Sequence, residues 1–300
     1  MEEFTLCNNL KIPKIGYGSA IVLTYMYGSY TKKTIIKYWI RNFIKNKKQY
    51  QKDKGIKKVL NSINGKILID TSRAYGGSEY AIGKAIEKSG RENFFVVTKL
   101  CNADQFNHSV QEGFNNSLEQ LGIDYVDLYL MHWPVEGEYI ESWKEMERIY
   151  KSGRAKAIGV CNCNIRHLEE IKKCADIMPM VNQFECHPLF TQENLRKYCK
   201  DNNIQVMAYT ATARMDERLN KTIIPKLAEK YNKTMAQIII RWHIQVENIP
   251  LVNTSSVKHI KENFDVWDFK LTQEEVDKIS AVNINSRLRY DPENCDFTQL

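Results

Sequence analysis

The segment KILIDT (Lys66 to Thr71), followed by EYAIGKAIEKSG (Glu79 to Gly90), contains the structural unit on which the fold depends. The first part is a near-continuous apolar run, which is typical of a parallel strand buried on both faces. The second part has the residue spacing of a helix and ends in glycine, a common helix stop. Together they predict a strand followed by a helix.

Seven other short segments resemble this first strand. They are PKIGYG (Pro13 to Gly18), FFVVTK (Phe94 to Lys99), YVDLYLMH (Tyr125 to His132), AKAIGV (Ala155 to Val160), MPMVNQF (Met178 to Phe184), IQVMAYT (Ile204 to Thr210) and NIPLVNT (Asn248 to Thr254). Helical segments such as SVQEGFNNSLEQLG and IRHLEEIKKCA lie between them. Strands that alternate with helices in this way predict an α/β fold, a (β/α)8 TIM barrel in a single domain over residues 1–300, rather than an open doubly wound sheet.

The basic character of the chain is confined to residues 24–54. This segment has eight Lys, one Arg and one Asp, a net charge of +8, whereas the rest of the 300-residue chain has 34 basic and 35 acidic residues. Its stretch TIIKYWIRNFIKNKK (Thr34 to Lys48) has the spacing of an amphipathic helix. We expect a helical insertion in the first β-to-α loop. It packs on the barrel as a lid, or residues 34–48 contact an anionic membrane surface or a protein.

Several classes of protein are disfavoured by composition. The net charge of the chain outside residues 24–54 is close to zero, which argues against nucleic acid as a partner. No run of about 18 apolar residues exists, so no transmembrane segment is predicted, and the start MEEFTL does not have the pattern of a signal peptide. The eight cysteines form no C-x-x-C pair, so Cys161 and Cys163 are interpreted as packing residues and not as metal ligands. These features predict a cytoplasmic protein with reduced thiols and no metal.

Four reactive residues stand at or near the ends of predicted strands: Asp70, Tyr75, Lys99 and His132. In (β/α)8 barrels the carboxyl ends of the strands carry the active site. Lys99 near the end of an apolar strand needs a partner, and Asp70 on the neighbouring strand can supply the opposite charge. A Tyr beside a buried Lys is expected to have a lowered pKa, which would make Tyr75 a usable proton donor. A buried ion pair with two unrelated aromatic residues is the alternative interpretation.

The chain resembles the aldo-keto reductase family along most of its length outside the Lys-rich segment. The resemblance rests on IDTSRAYGGSEYAIGKAI (Ile69 to Ile86), VVTKL, LEQLGIDYVDLYLMHWP (Leu118 to Pro134), SGRAKAIGVCNCN (Ser152 to Asn164), VNQFECHP (Val181 to Pro188), IQVMAYT and HIKEN (His259 to Asn263). It implies a TIM barrel that reduces an aldehyde or ketone, sugar-like compounds included, by hydride transfer from NADP(H) or NAD(H).

The resemblance also implies roles for the four reactive residues, which match the family's catalytic tetrad. Tyr75 would be the general acid in reduction. Lys99, held by Asp70, would lower the pKa of Tyr75, and His132 would position the substrate oxygen.

Cofactor contacts carry over from the same resemblance. The matching residues are Asn162, Gln183, Tyr209, Thr210, Asn253, Thr254, His259, Glu262 and Asn263. Asn162 and Gln183 correspond to residues that hydrogen-bond the carboxamide, and Tyr209 to an aromatic residue that stacks on the nicotinamide. Glu262 and Asn263 correspond to adenine contacts.

The chain departs from the family where the ribose 2′-phosphate is bound. Asn253 stands in place of the usual Lys, Thr254 in place of Ser, and His259 in place of Arg. Charged donors grip phosphate more strongly than neutral ones, and His259 is mostly neutral at pH 7. We therefore expect a weakened preference for NADP, with dual or NAD use; retained NADP use, with Lys258 or the nearby serines as substitutes, is the alternative.

The substrate pocket and the overall role are less defined by the sequence. Trp133, directly after His132, is the substrate-contact candidate, whereas Trp267 is predicted to pack in the core. A small carbonyl compound is the expected substrate. The alternative function is a redox-sensing or partner-docking barrel that binds cofactor with little turnover and uses the cationic insertion.

Overall fold

The computed structural model describes residues 2–20, 40, 58–60, 62 and 65–297. A short antiparallel hairpin of β1 (Glu3–Thr5) and β2 (Lys11–Pro13) comes first. Eight parallel strands then close into a barrel: β3 (Gly16–Gly18), β4 (Ile67–Asp70), β5 (Phe94–Leu100), β6 (Leu128–Met131), β7 (Ile158–Cys161), β8 (Val181–Glu185), β9 (Gln205–Tyr209) and β10 (Asn248–Val252). They pair in chain order, and β10 returns to β3. The predicted TIM barrel is confirmed.

The helices of the described part lie between and after these strands. They are α1 (Ser78–Ser89), α2 (Asn102–Phe106), α3 (Val110–Leu121), α4 (Tyr139–Lys151), α5 (Ile165–Lys172), α6 (Glu193–Asp201), α7 (Ile224–Tyr231), α8 (Met235–Gln245), α9 (Val257–Phe264) and α10 (Gln273–Ser280). Residues 58–60 are also helical. Helix α3 ends at Gly122, whose φ of 66° lies in the left-handed region that glycine adopts at little cost.

The core has two parts, as a closed parallel barrel requires. Inside the barrel, Leu68, Phe95, Val97, Leu128 and other apolar side chains pack together. A larger cluster fills the space between the strands and the helices, and Trp267 packs against it, as predicted. Since side chains of a strand alternate between its two faces, the barrel strands other than β3, whose inward positions are glycines, contribute to both clusters and need few polar residues.

The β1–β2 hairpin is the main feature that the sequence-based prediction missed. Pro13 to Gly18 had been predicted as one strand, whereas β2 ends at Pro13 and β3 begins at Gly16. Leu6 and Ile12 belong to the same cluster that fills the barrel interior, so the hairpin closes one end of it. Strands of three residues have too few positions for the alternating pattern to show.

The predicted helical insertion of residues 24–54 lies outside the described residues, apart from Ile40, which is helical. Its packing on the barrel and its contacts through residues 34–48 stay predictions, as does the single-domain assignment of residues 1–300. Among the described helices, none is both long and apolar enough to cross a membrane. The described residues also contain no group of His, Cys, Asp and Glu side chains suited to a metal ion.

Candidate active site

The alternation along neighbouring strands places the tetrad at one end of the barrel. On β4, Leu68 packs inside the barrel and Asp70, two residues later, points the same way. On β5 the inward series Phe95 and Val97 continues to Lys99. The strand ends meet at one rim because the barrel is parallel, so groups distant in sequence converge there.

A buried ion pair forms the base of the site. Lys99 Nζ donates to Asp70 Oδ1 at 2.7 Å and to the Thr71 carbonyl at 2.8 Å, and the Lys99 side chain is fully buried. Gln183 Nε2 donates to the same Asp70 oxygen at 2.7 Å. Burial works to lower the pKa of Lys99, but the charge and hydrogen bond of Asp70, together with the neighbouring Tyr75 and Cys161, outweigh it and the pKa is raised. Lys99 therefore stays cationic under the site.

Tyr75 and His132 lie above this pair. The Tyr75 hydroxyl is 3.4 Å from His132 Nε2, and Lys99 Nζ is 5.0 Å from the centre of the Tyr75 ring. Burial, followed by the charge of Lys99, lowers the pKa of His132 well below its ordinary value. The imidazole is consequently neutral, and its Nδ1 lies 3.4 Å from Ser72 Oγ.

The expected lowering of the Tyr75 pKa is wrong for this protein without a ligand. Burial raises the pKa of the phenol above its ordinary value, and the charge of Lys99 opposes this rise without reversing it. Residue types indicate the effect of the Lys99 ammonium on the pKa of Tyr75, but not the opposing effect of burial. Tyr75 is therefore protonated at neutral pH, the state that a proton donor requires.

The tetrad opens into a cavity of about 560 Å³. Sequence-predicted residues that line it are Asp70, Tyr75, His132, Trp133, Asn162, Gln183, Tyr209, Thr210, Asn253 and Thr254. Asn162 Nδ2 donates to the His132 carbonyl at 3.0 Å, and the Tyr209 hydroxyl donates to Asn162 Oδ1 at 2.6 Å. These contacts link β6, β7 and β9 and orient both side chains.

Three predicted cofactor residues lie on α9, outside the lining of this cavity: His259, Glu262 and Asn263. His259 is exposed, and its main-chain N–H donates to the Ser256 side chain at 3.3 Å. Glu262 faces Lys258 at 3.6 Å. The structure thus places them on one short helix that directly follows the Asn253 segment.

Asn253, which stands where the family usually has a lysine, makes a hydrogen bond that the sequence does not indicate. Its Nδ2 donates to the Ala20 carbonyl at 2.8 Å, which joins the end of β10 to the segment after β3. Next to it, the Tyr17 hydroxyl donates to the Thr254 carbonyl at 3.1 Å. Asn253 therefore has a structural partner at the start of the first β-to-α loop.

Trp133 is buried against the tetrad, with its ring centre 6.4 Å from that of His132. Phe297, in the C-terminal segment, packs edge-on against it at 6.3 Å. Cys161 and Cys163 are buried and free, in agreement with their interpretation as packing residues.

Sequence reasoning missed other residues of the cavity wall, among them Tyr17, Arg214, Arg289 and Tyr290. Arg214 lies in a run of three non-glycine residues with positive φ, Ala213 (49°), Arg214 (53°) and Met215 (55°). This conformation costs roughly 1–2 kcal/mol per residue. No sequence pattern marks these arginines, because they lie in segments without periodicity.

Comparison with known proteins agrees with this geometry. The model of the Aldo/keto reductase family matches residues 45–284, more than half of the chain. The chain belongs to the aldo/keto reductase family. This confirms the predicted family and the prediction that the protein is an enzyme of this class.

Individual members of the aldo/keto reductase family match over most of their length. An uncharacterized oxidoreductase of Bacillus subtilis, YtbE, is 43% identical over 240 residues, 78% of this chain and 85% of that protein. A glyoxal reductase of the same organism is 41% identical over 236 residues, with the same coverage of 78% and 85%.

Solved structures of family members are similar over nearly the whole fold. An aldo-keto reductase enzyme from a Medee basin deep-sea metagenome library has a TM-score of 0.80 at 35% identity, covering 98% of this chain and 99% of that one. A Bombyx mori aldo-keto reductase in complex with NADP has a TM-score of 0.81 at 28% identity, covering 97% and 96%.

Proposed function

We propose that this protein reduces the carbonyl group of a small aldehyde or ketone to an alcohol with a nicotinamide cofactor, and that Tyr75 is the proton donor. The observation that carries the proposal is the meeting of a buried Lys99–Asp70 pair, a protonated Tyr75 and a neutral His132 at one cavity. One relative is named a glyoxal reductase, so small dicarbonyl compounds are the first substrates to test.

The residues around the cavity fit a nicotinamide cofactor. Asn162 and Gln183 present amide groups to the cavity, Tyr209 presents an aromatic ring, and Thr210 and Thr254 present hydroxyl groups. Amides can pair with a carboxamide, and an aromatic ring can cover a planar heterocycle. A bound nicotinamide cofactor supplies the hydride.

The chain's own residues supply the proton and the charge stabilisation. Neutral His132, whose Nε2 is 3.4 Å from the Tyr75 hydroxyl, donates its Nε2–H to a carbonyl oxygen that faces both groups, and so orients it. Tyr75 gives its proton to that oxygen as negative charge develops there. Lys99, kept cationic by Asp70, stabilises the phenolate left on Tyr75.

For the cofactor, we propose a weak grip on the 2′-phosphate and therefore a modest NADPH preference. Asn253 is uncharged and donates to the Ala20 carbonyl, and His259 replaces an arginine in the pattern of the family. Neutral donors bind phosphate less strongly than a lysine and an arginine.

The test is turnover of NADPH and NADH with glyoxal, aldehydes, ketones and sugars, in the wild type and in Tyr75→Phe. We expect Tyr75→Phe to lose about 100-fold or more in kcat, because general acid catalysis is removed, while NADPH still binds. Tyr290→Phe is the matched control, since it removes a phenol from the same cavity outside the tetrad. Full activity of Tyr75→Phe would refute the role of Tyr75, and cofactor binding without any carbonyl turnover would favour a redox-sensing barrel.

A further inference from the structure

The cavity wall carries positive charge in addition to that of the tetrad. Its charged lining residues, among those that the structure describes, are Asp70, Arg214 and Arg289. Asp70 is neutralised by Lys99, 2.7 Å away, and His132 is neutral because burial lowers its pKa. Among the described residues, neither arginine has an ion-pair partner, so both remain as positive charges around the space that receives the ligands.

Arg289 is held in place by a buried carboxylate. Glu185, at the end of β8 and fully buried, accepts from the main-chain N–H groups of Leu288 at 2.7 Å and Arg289 at 3.1 Å. His187 Nε2 lies 3.0 Å from the same carboxylate. These bonds fix the backbone of the C-terminal segment over β8, so the position from which the Arg289 side chain extends is defined.

The Arg289 guanidinium itself forms no hydrogen bond or ion pair with the residues that the structure describes. Its neighbour Arg287 differs in this respect. The Arg287 guanidinium stacks over the Phe190 ring at 4.6 Å and lies 3.8 Å from Asp291. Arg287 therefore has a packing role, whereas the half-buried Arg289 faces the cavity with its donors available.

Barrel geometry places the backbone anchor of Arg289 across the mouth from β4, the strand that carries Asp70. Glu185 ends β8, and β8 is four strands from β4 in the eight-stranded barrel, so the two lie on opposite sides of the mouth. Burial and the Glu185 carboxylate raise the pKa of Tyr209, and the charges of Arg287 and Arg289 both oppose this rise. Tyr75 and Arg289 line the same cavity, so a ligand at Tyr75 shares that space with the Arg289 side chain.

The two arginines are placed differently with respect to the cofactor residues. Arg214 follows β9, which pairs with β10, the strand that leads to Asn253 and Thr254. Arg289 is anchored on β8, farther from that end. Of the two arginines, Arg289 is thus the one anchored beside Gln183 and Tyr209, the residues proposed to hold the nicotinamide, next to which the carbonyl group must lie.

We infer that the substrate carries an anionic group, a carboxylate or a phosphate, in addition to its carbonyl, and that Arg289 binds this group. The inference rests on the proposed carbonyl reduction and adds the substrate class to it. A guanidinium suits both anions because its paired N–H donors match two acceptor oxygens. Its selectivity should weaken as salt increases.

Two matched substrate pairs test the inference and separate the two anions. The first pair is para-carboxybenzaldehyde and para-nitrobenzaldehyde, and the second is glyceraldehyde phosphate and glyceraldehyde. We expect the wild type to prefer the anionic member of at least one pair by roughly 10- to 100-fold in kcat/KM. In Arg289→Gln this preference should vanish, with the neutral member and the NADPH Kd nearly unchanged, whereas Arg289→Lys should retain part of it.

Arg287→Gln is the matched control, because it removes an arginine two residues away that already has partners. It should leave the anion preference intact. Equal turnover of both members of each pair by the wild type would overturn the inference while leaving carbonyl reduction standing. Weaker NADPH binding in Arg289→Gln with the anion preference retained would also overturn it. A wild type that reduces no carbonyl at all would refute the proposed function itself.

Discussion

Replacement of Lys99 by methionine tests the buried ion pair most directly. At 2.7 Å and an effective dielectric constant of about 20, the attraction between Lys99 and Asp70 is about 6 kcal/mol. Much of this is offset by the desolvation of both ions, so the pair adds little net stability. Removing only one partner is different, because it leaves the Asp70 carboxylate buried with Gln183 as its remaining side-chain donor.

We expect Lys99→Met to lower the free energy of unfolding by about 3–5 kcal/mol, the range for one-sided loss of a buried pair. The double variant Asp70→Asn/Lys99→Met should recover a large part of this loss, since no charge is then left unpaired. Denaturant unfolding, followed by circular dichroism, measures both values.

Lys84→Met is the matched control for this experiment. Lys84 also forms a short ion pair, 2.6 Å from Glu87, but both side chains are exposed to solvent. Its replacement should change stability little, because water screens such pairs. A Lys99→Met variant as stable as the wild type, or a double variant no better than the single one, would refute the argument. Lys99→Met should also lose carbonyl turnover while it still binds NADPH, since the phenolate of Tyr75 would lose its cation.

Two further predictions concern the cofactor and the pH dependence of stability. Asn253→Lys/His259→Arg should raise the affinity for NADPH by about tenfold or more in a fluorescence titration, with NADH affinity as the internal control. A wild type that already prefers NADPH by a hundredfold or more would show that the 2′-phosphate is bound strongly without these charges. Burial lowers the pKa of His243 to about 3, since this histidine is fully enclosed and neutral. Below about pH 6.5, His243 is protonated in the unfolded chain but stays neutral in the folded chain. Its contribution to the free energy of unfolding is therefore fully present above that pH and falls by up to about 1.4 kcal/mol per pH unit towards pH 3. In acid unfolding, the free energy of unfolding of His243→Gln should fall less steeply with decreasing pH than that of the wild type. The same slope in both proteins would contradict this assignment.

The strands and the tetrad can be predicted from the sequence for a local physical reason. Strands such as Phe94–Leu100 are buried on both faces, so their apolar runs are visible without tertiary information. Lys99 stands out within such a run because a buried charge needs a partner. The tetrad and half of the cavity wall could be predicted from strand ends together with the family motifs.

Other features depend on distances that no local pattern encodes. The pKa of Tyr75 is set by the balance between burial and the charge of Lys99, and only the packed site shows that burial dominates. The contact of Asn253 with Ala20 joins residues at opposite ends of the chain. The first result changed an expectation taken from residue types alone, and the second added a contact that residue types do not indicate.

The sequence by itself determined the alternation of strands and helices, the inward positions of Asp70 and Lys99, and the family. These follow from hydrophobic periodicity, which acts over a few residues, and from motifs that can be read directly. Only the tertiary structure placed Glu185 under the C-terminal segment, and with it Arg289 on the wall of the cavity that Tyr75 lines. The physical reason is that closure of the barrel brings chain segments about a hundred residues apart within hydrogen-bonding distance, and electrostatic environments are set by that closure and not by neighbours in sequence.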